Sequence, residues 1–165
     1  MRSIFLFVLL SIANINVVSG QQTAKEALQK LAFLTGNWKG TSTSFSDKGE
    51  KKVTVEEKVD FLMDGEMLVL NVKSPWIKLH TIIVYSEKSG KYYYYPFTKD
   101  GNKKGYEGKY NEGKFLVYFN ETTRLTFTKT AKGEFHEFGE KRLENGKWEK
   151  YFEDILSPNL TQIKK

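Results

Sequence analysis

The sequence predicts an all-β protein, an up-and-down antiparallel barrel of about ten strands preceded by one short N-terminal helix. Three observations carry this expectation. Apolar residues recur at helical spacing before Gly36-Asn37-Trp38-Lys39-Gly40 and in short alternating runs after it. Turn signals then cut the chain at short intervals as far as Asn145-Gly146. The 165 residues, 39% hydrophobic and 15% aromatic, suffice for one domain with a sizeable core. Tyr, Phe and Trp also suit a half-buried pleated surface.

Met1 to Gly20 reads as a signal peptide. Arg2 supplies the positive start, Ile4 to Leu10 the apolar stretch, and Val18-Ser19-Gly20 the small residues before cleavage, so the mature chain is expected to begin at Gln21. The apolar run is too short to span a bilayer, and no cysteine follows it to carry a lipid. A secreted or periplasmic protein is expected, without a membrane span once the signal is removed. The lack of any disulfide in an exported chain points to a bacterial periplasm. Asn120-Glu121-Thr122 and Asn159-Leu160-Thr161 match the glycosylation sequon, which matters only in a eukaryotic host.

The helix is expected over residues 23–35. Thr23 caps it, Glu26 completes a capping box, and Ala24, Ala27, Leu28, Leu31 and Leu34 form one apolar stripe. Gly36 is placed to end it in the left-handed conformation. A helix this short is marginal alone and must lie against one end of the barrel.

The barrel is expected over residues 36–156. Turns fall at Asp47-Lys48-Gly49, Asp64-Gly65, Ser74-Pro75, Ser89-Gly90, Asp100-Gly101, Asn111-Glu112-Gly113, Asn120 to Thr122, Lys132-Gly133 and Asn145-Gly146. Asp-Gly and Asn-Gly pairs are strong hairpin signals because tight primed turns need positive φ. Strands so close in sequence pair only as hairpins, and a long meander removes its exposed edges by closing on itself. Residues 157–165 read as a frayed tail.

Faces follow from alternation. Val53, Val55, Val59 and Phe61 share one face, with Lys52, Thr54, Glu56, Lys58 and Asp60 opposite. Phe115, Val117 and Phe119, then Leu125 and Phe127, make similar apolar faces. Tyr92 to Tyr95 are aromatic on both faces, and Pro96 marks a bulge or strand end. Two stretches resist: Trp148, Tyr151, Phe152 and Ile155 follow helical spacing, and Phe135 and Phe138 fall on opposite faces, with a bulge expected near Gly139.

Composition narrows the function classes. The net charge is +6, but nearly all of the basic side is scattered lysine; Arg2, Arg124 and Arg142 are the arginines. A nucleic-acid surface would cluster arginine among aromatics, so no nucleic-acid partner is expected. Without cysteine there is no thiolate nucleophile and no Cys-ligated metal. No phosphate loop, no G-x-S-x-G elbow and no H-E-x-x-H pattern occurs, and no metal site is expected. His80 and His136, the histidines, read as exposed bystanders.

Glu57 is the most informative residue, because it falls on the apolar face of its strand. An unpaired buried charge is costly. Three readings stay open: a bulge turns it outward, it anchors a ligand with Arg124 or Arg142 as partner, or it makes an internal ion pair. Trp38 reads as a plug closing one barrel end.

Gly36-x-Trp38 after a short helix resembles the lipocalin and wider calycin signature. The string Leu31-Ala32-Phe33-Leu34-Thr35-Gly36-Asn37-Trp38-Lys39-Gly40 is most similar to nitrobindin-like barrels and to secreted lipocalin-like proteins of bacteria. That resemblance, covering roughly residues 28–155, implies a barrel with a small-molecule cavity. It implies an arginine packed over Trp38, for which Arg142 is the residue available by position. It also implies a haem-ligating histidine near the chain end. Residues 147–156 contain none, so no cofactor is expected.

The leading expectation is an exported barrel holding a small hydrophobic ligand among Glu57, Phe61, Tyr92, Tyr94, Phe115, Phe119, Phe127 and Arg142, with Gly36 and Trp38 structural and no catalysis. The alternatives are a barrel enzyme using Glu57 as acid or base, and a structural or interaction module of the cell envelope.

Overall fold

The computed structural model describes residues 22–101 and 104–160. The expected signal segment and the last five residues of the expected tail lie outside them. Ten antiparallel strands follow one another round a closed barrel: β1 (Gly36–Ser46), β2 (Gly49–Leu62), β3 (Met67–Lys73), β4 (Lys78–Ser86), β5 (Lys91–Phe97), β6 (Tyr106–Asn111), β7 (Lys114–Asn120), β8 (Thr123–Lys129), β9 (Phe135–Arg142) and β10 (Trp148–Pro158). β10 returns to pair with β1 and closes the wall. Every expected turn joins two consecutive strands. Gly113, Gly133 and Gly146 all take positive φ there, as tight turns require.

The last strand runs further than expected. Ser157 and Pro158 pair with Lys39 and Trp38 on β1, so the tail begins after them. Closure itself holds these residues in the sheet.

The helix is shorter than its apolar stripe. α1 covers Ala24–Gln29, and a 3-10 turn follows over Ala32–Leu34. The capping box forms: the Glu26 N–H donates to the Thr23 hydroxyl at 3.2 Å, and the Thr23 N–H donates to the Glu26 carboxylate at 3.0 Å. Gly36 does not cap the helix. It opens β1 with φ of +142°, and a Cβ there would lie 3.0 Å from the Trp38 ring. The early break lets the chain fold back over the barrel end, where the Leu34 carbonyl accepts the Trp38 indole N–H at 2.8 Å. The Tyr92 hydroxyl donates to the Ala27 carbonyl at 2.7 Å, and Glu87 accepts from the Ala24 N–H at 2.7 Å. These contacts hold a helix of a length that is marginal alone.

The barrel therefore has a sealed end and an open one. At the sealed end Leu28, Leu31 and Leu34 pack on Trp38, Val59, Leu68, Ile83, Phe115, Phe127 and Phe135, all buried. The cation over the Trp38 ring is Lys129, its Nζ 4.2 Å from the centroid. Arg142, expected in that role, is exposed beside the β9–β10 turn. β9 points it away from the helix end, and β8 delivers Lys129 there instead.

The β9–β10 seam explains the two resistant stretches. The bulge lies on β10 rather than on β9: the register shifts between Lys150 and Phe152, opposite Gly139. One extra residue in β10 moves Trp148 to the outer face and Phe152 to the inner one, which imitates helical spacing. Arg124 stacks on Trp148 outside, 4.1 Å from its ring. Gly139 is required at this point, since a Cβ would lie 2.4 Å from the rings of both Tyr151 and Phe152.

Replacing Trp38 with alanine removes the plug and is expected to cost about 3–5 kcal/mol in urea unfolding. Trp148→Ala, on the outer wall, is expected to cost about 1 kcal/mol or less.

Candidate functional site

A cavity of about 490 Å³ opens at the end away from the helix. Its rim is built by Ser74, Trp76 and Ile77 of the β3–β4 turn, with Pro96 near the end of β5 and Thr98 just beyond it. Pro96 is tolerated there because β6 pairs with β5 only from Tyr92 to Tyr94, so no ladder partner is missing its N–H. Apolar walls come from Val55, Val72, Leu79, Leu125 and Phe119, and from Phe152 on the far side of the bulge. The polar groups lie deeper: Ser42, Glu137, Asp154, and the phenols of Tyr94 and Tyr151.

The strand register assembles this floor. Asp154 on β10 stands directly opposite Glu137 on β9 and Ser42 on β1. Directly opposed residues have Cβ atoms about 4.5–5.5 Å apart. Asp154 is 6% exposed, and its Oδ1 is buried without a hydrogen-bond partner. Glu137 keeps a face to the cavity. Glu57 lies one inward position further along β2 than Val55, so it sits beneath the floor and does not line the cavity. It is 2% exposed, and both of its oxygens lack a partner.

Three carboxyls thus share the barrel interior with no cation among the cavity-lining residues. Burial pushes Glu57 well above the ordinary carboxylate range, and Asp154 adds to the shift. Burial does the same to Glu137, helped by the charges of Glu57 and Asp154. Burial raises Asp154 from an ordinary 3.8 to about 6, with the Ser42 hydroxyl pulling the other way. All three carboxyls therefore hold their protons more tightly than an exposed carboxylate does. Burial also raises the Tyr94 phenol, which accepts a hydrogen bond from the Thr81 hydroxyl at 3.4 Å.

Of the residues singled out from sequence, Tyr94 and Phe119 line the cavity. Phe115 and Phe127 face inward but are fully buried in the sealed end. Tyr92 is used to hold the helix, and Phe61 packs against the core without reaching the cavity. Glu57 faces inward because the β1–β2 register runs unbroken past it, so no bulge turns it out. Neither arginine pairs with it. Arg142 is exposed, and Arg124 bonds Glu140 on the outer wall at 2.7 Å. His80 is exposed and bonds Asn71, while His136 is half-buried and bonds Glu153 at 2.8 Å. Neither histidine lines the cavity. Among the described residues, no group of three His, Cys, Asp or Glu side chains is arranged to hold a metal ion.

Asp154 and Glu137 were not singled out from sequence. Two-residue steps back from the buried Leu156 and forward from the buried Phe135 lead to them.

No family model matches the chain, and no curated protein matches it by sequence. The closed ten-stranded antiparallel barrel is compatible with a lipocalin-like or calycin-like fold.

The raised carboxyls make stability depend on pH in a defined direction. A group whose pKa rises on folding holds its proton more tightly in the native chain, so stability is lost as pH climbs toward the native value. For Asp154 that window runs from about 4 to about 6, and for Glu57 and Glu137 it extends higher. Below 4.5 the opposite groups dominate: Glu26, held low by the Thr23 backbone N–H, and Glu56, held low by Lys39. The melting temperature is expected to peak at mildly acidic pH and fall by pH 8. Asp154→Asn is expected to recover up to about 3 kcal/mol at pH 8 and nothing at pH 4, read by urea unfolding at each pH. Equal stability of both proteins at pH 8 would contradict the assignment.

Proposed function

We propose that this protein is an exported binding barrel that holds a small, largely apolar molecule in the cavity between the β3–β4 turn and the Asp154–Glu137 floor. The observation that carries this reading is the interior itself. The barrel is sealed by packed side chains at one end, yet keeps about 490 Å³ at the other. That volume is within the range of small-molecule sites. Its walls are largely apolar, and its two acidic groups, Glu137 and Asp154, meet at one point on the floor, which is how such sites orient a ligand.

Binding without turnover is the preferred reading. The catalytic alternative placed the chemistry on Glu57, which does not touch the cavity. The acid–base pair that a catalytic reading would need is instead Asp154 and Glu137. One experiment separates the two. A panel of apolar molecules is screened by thermal shift, and the bound molecule is recovered and weighed by mass spectrometry. A ligand that raises the melting temperature by several degrees and is recovered unchanged supports binding. Chemical conversion that stops in Asp154→Asn would establish the enzyme. A panel without any thermal shift would count against the cavity as a binding site.

Export rests on residues 1–20. Expressed with this segment in a bacterium, the protein is expected in the periplasmic fraction with an intact mass that begins at Gln21. Retention of Met1 to Gly20 would overturn it.

A further inference from the structure

The cavity floor is short of one positive charge. Asp154 lines the cavity, is buried to more than nine-tenths, and leaves Oδ1 without a hydrogen-bond partner. Glu137 faces it directly across the β9–β10 ladder and lines the same floor. Glu57 lies just beneath and is also unpartnered. No lysine, arginine or histidine is among the residues lining the cavity.

The cations of this barrel are elsewhere. Arg124 bonds Glu140 on the outer wall, Lys150 bonds Glu153, and Lys129 caps Trp38 at the sealed end. Buried carboxylates are normally paired or ligate metal. Here the inward faces of β2, β9 and β10 each bring an acid, and no strand brings a base to the cavity. The floor is also ringed by the aromatic residues Tyr94, Phe119, Tyr151 and Phe152. Aromatic faces favour a cation once it is out of water.

We propose that the ligand of this barrel is an organic amine with an apolar body, bound as its protonated cation with the ammonium group at Asp154 and Glu137. This rests on the reading of the cavity as a binding site. The apolar body fills the space between Val72, Leu79 and Phe119, and the ammonium supplies the missing charge. A divalent metal fits less well, because no three acidic or histidine side chains among the described residues are arranged to hold one.

Binding has a consequence for protons. A cation at the floor favours the ionised carboxyl over the neutral one, so an acid that was protonated in the free protein releases its proton when the amine enters. The charge of the adjacent Glu153 bears on Asp154. The titratable groups that share the interior with Asp154 are Glu137 of β9, Glu57 of β2, Tyr94 of β5 and Tyr151 of its own strand. All are acids, and all hold their protons more tightly than usual. Affinity for an amine should therefore rise as pH increases through about 6, the pH at which Asp154 ionises.

Isothermal titration with three probes of equal length tests this: n-octylamine, n-octanol and n-octanoate, at pH 5 and pH 7. The wild-type protein is expected to bind octylamine at least tenfold more tightly than octanol at pH 7, and octanoate more weakly than either. The amine preference is expected to shrink at pH 5. Titration in buffers of different ionisation enthalpy is expected to show proton release with octylamine and none with octanol. Asp154→Asn and Glu137→Gln should each lose most of the preference while still binding octanol. Glu56→Gln, on the outer wall, should keep it. Equal affinity for octylamine and octanol, or a preference that survives both floor variants, would overturn the amine proposal and leave the binding cavity standing. Failure of all three probes to bind would remove the cavity reading and this proposal together.

Discussion

The seam between β1 and β10 is the contact on which the rest of the barrel depends. Without it the chain is a curved meander with two open edges; with it, every strand has two neighbours and an interior exists. The seam demands close approach. Gly40 lies opposite Leu156, and a Cβ at Gly40 would stand 2.1 Å from the Ile155 carbonyl oxygen. That distance is backbone, which cannot rotate away as a flexible side chain can. Gly40 is thus needed for the absence of its side chain. The longer string from Leu31 to Gly40 ends on this glycine, and the geometry supplies a reason for it.

Closure divides the interior into two regions of different chemistry. At the helix end, Trp38, Phe115, Phe127 and Phe135 are packed together and buried, and their burial contributes to the hydrophobic stabilisation of the fold. At the other end the same inward positions carry Ser42, Glu137, Gly139 and Asp154. Small and acidic side chains there leave a void and an electrostatic strain that the packed end has to offset. Natural cores rarely keep buried carboxyls without partners, and two in one barrel, Glu57 and Asp154, with Glu137 beside them, mark the place where packing has yielded to something else.

Much of the architecture could be read from residues. Strand number, turn positions and the inward direction of Val55, Val59, Tyr92 and Tyr94 all follow from alternation and from glycine in turns. These are local properties, set within a few residues of the chain. The site was legible in part. Phe119 follows from the alternation of Phe115, Val117 and Phe119, while Tyr94 comes from one face of a run that is aromatic on both. Phe115 and Phe127 alternate in the same way yet sit in the sealed end, because alternation gives the face of a residue but not its depth along the barrel axis. Arg142 was placed inside by analogy of position, and a strand end near a turn left it in water.

By itself the sequence determined that this chain becomes a ten-stranded meander with an apolar inner face, since turn chemistry and two-residue periodicity act at short range and leave few alternatives. Only the tertiary structure decided that Asp154 and Glu137 meet, that Glu57 lies sealed beneath them, and that Lys129 covers Trp38. Those meetings depend on strand register around a closed circuit and on one extra residue in β10. Register is settled by the whole barrel closing on itself, a condition that no short stretch of sequence contains.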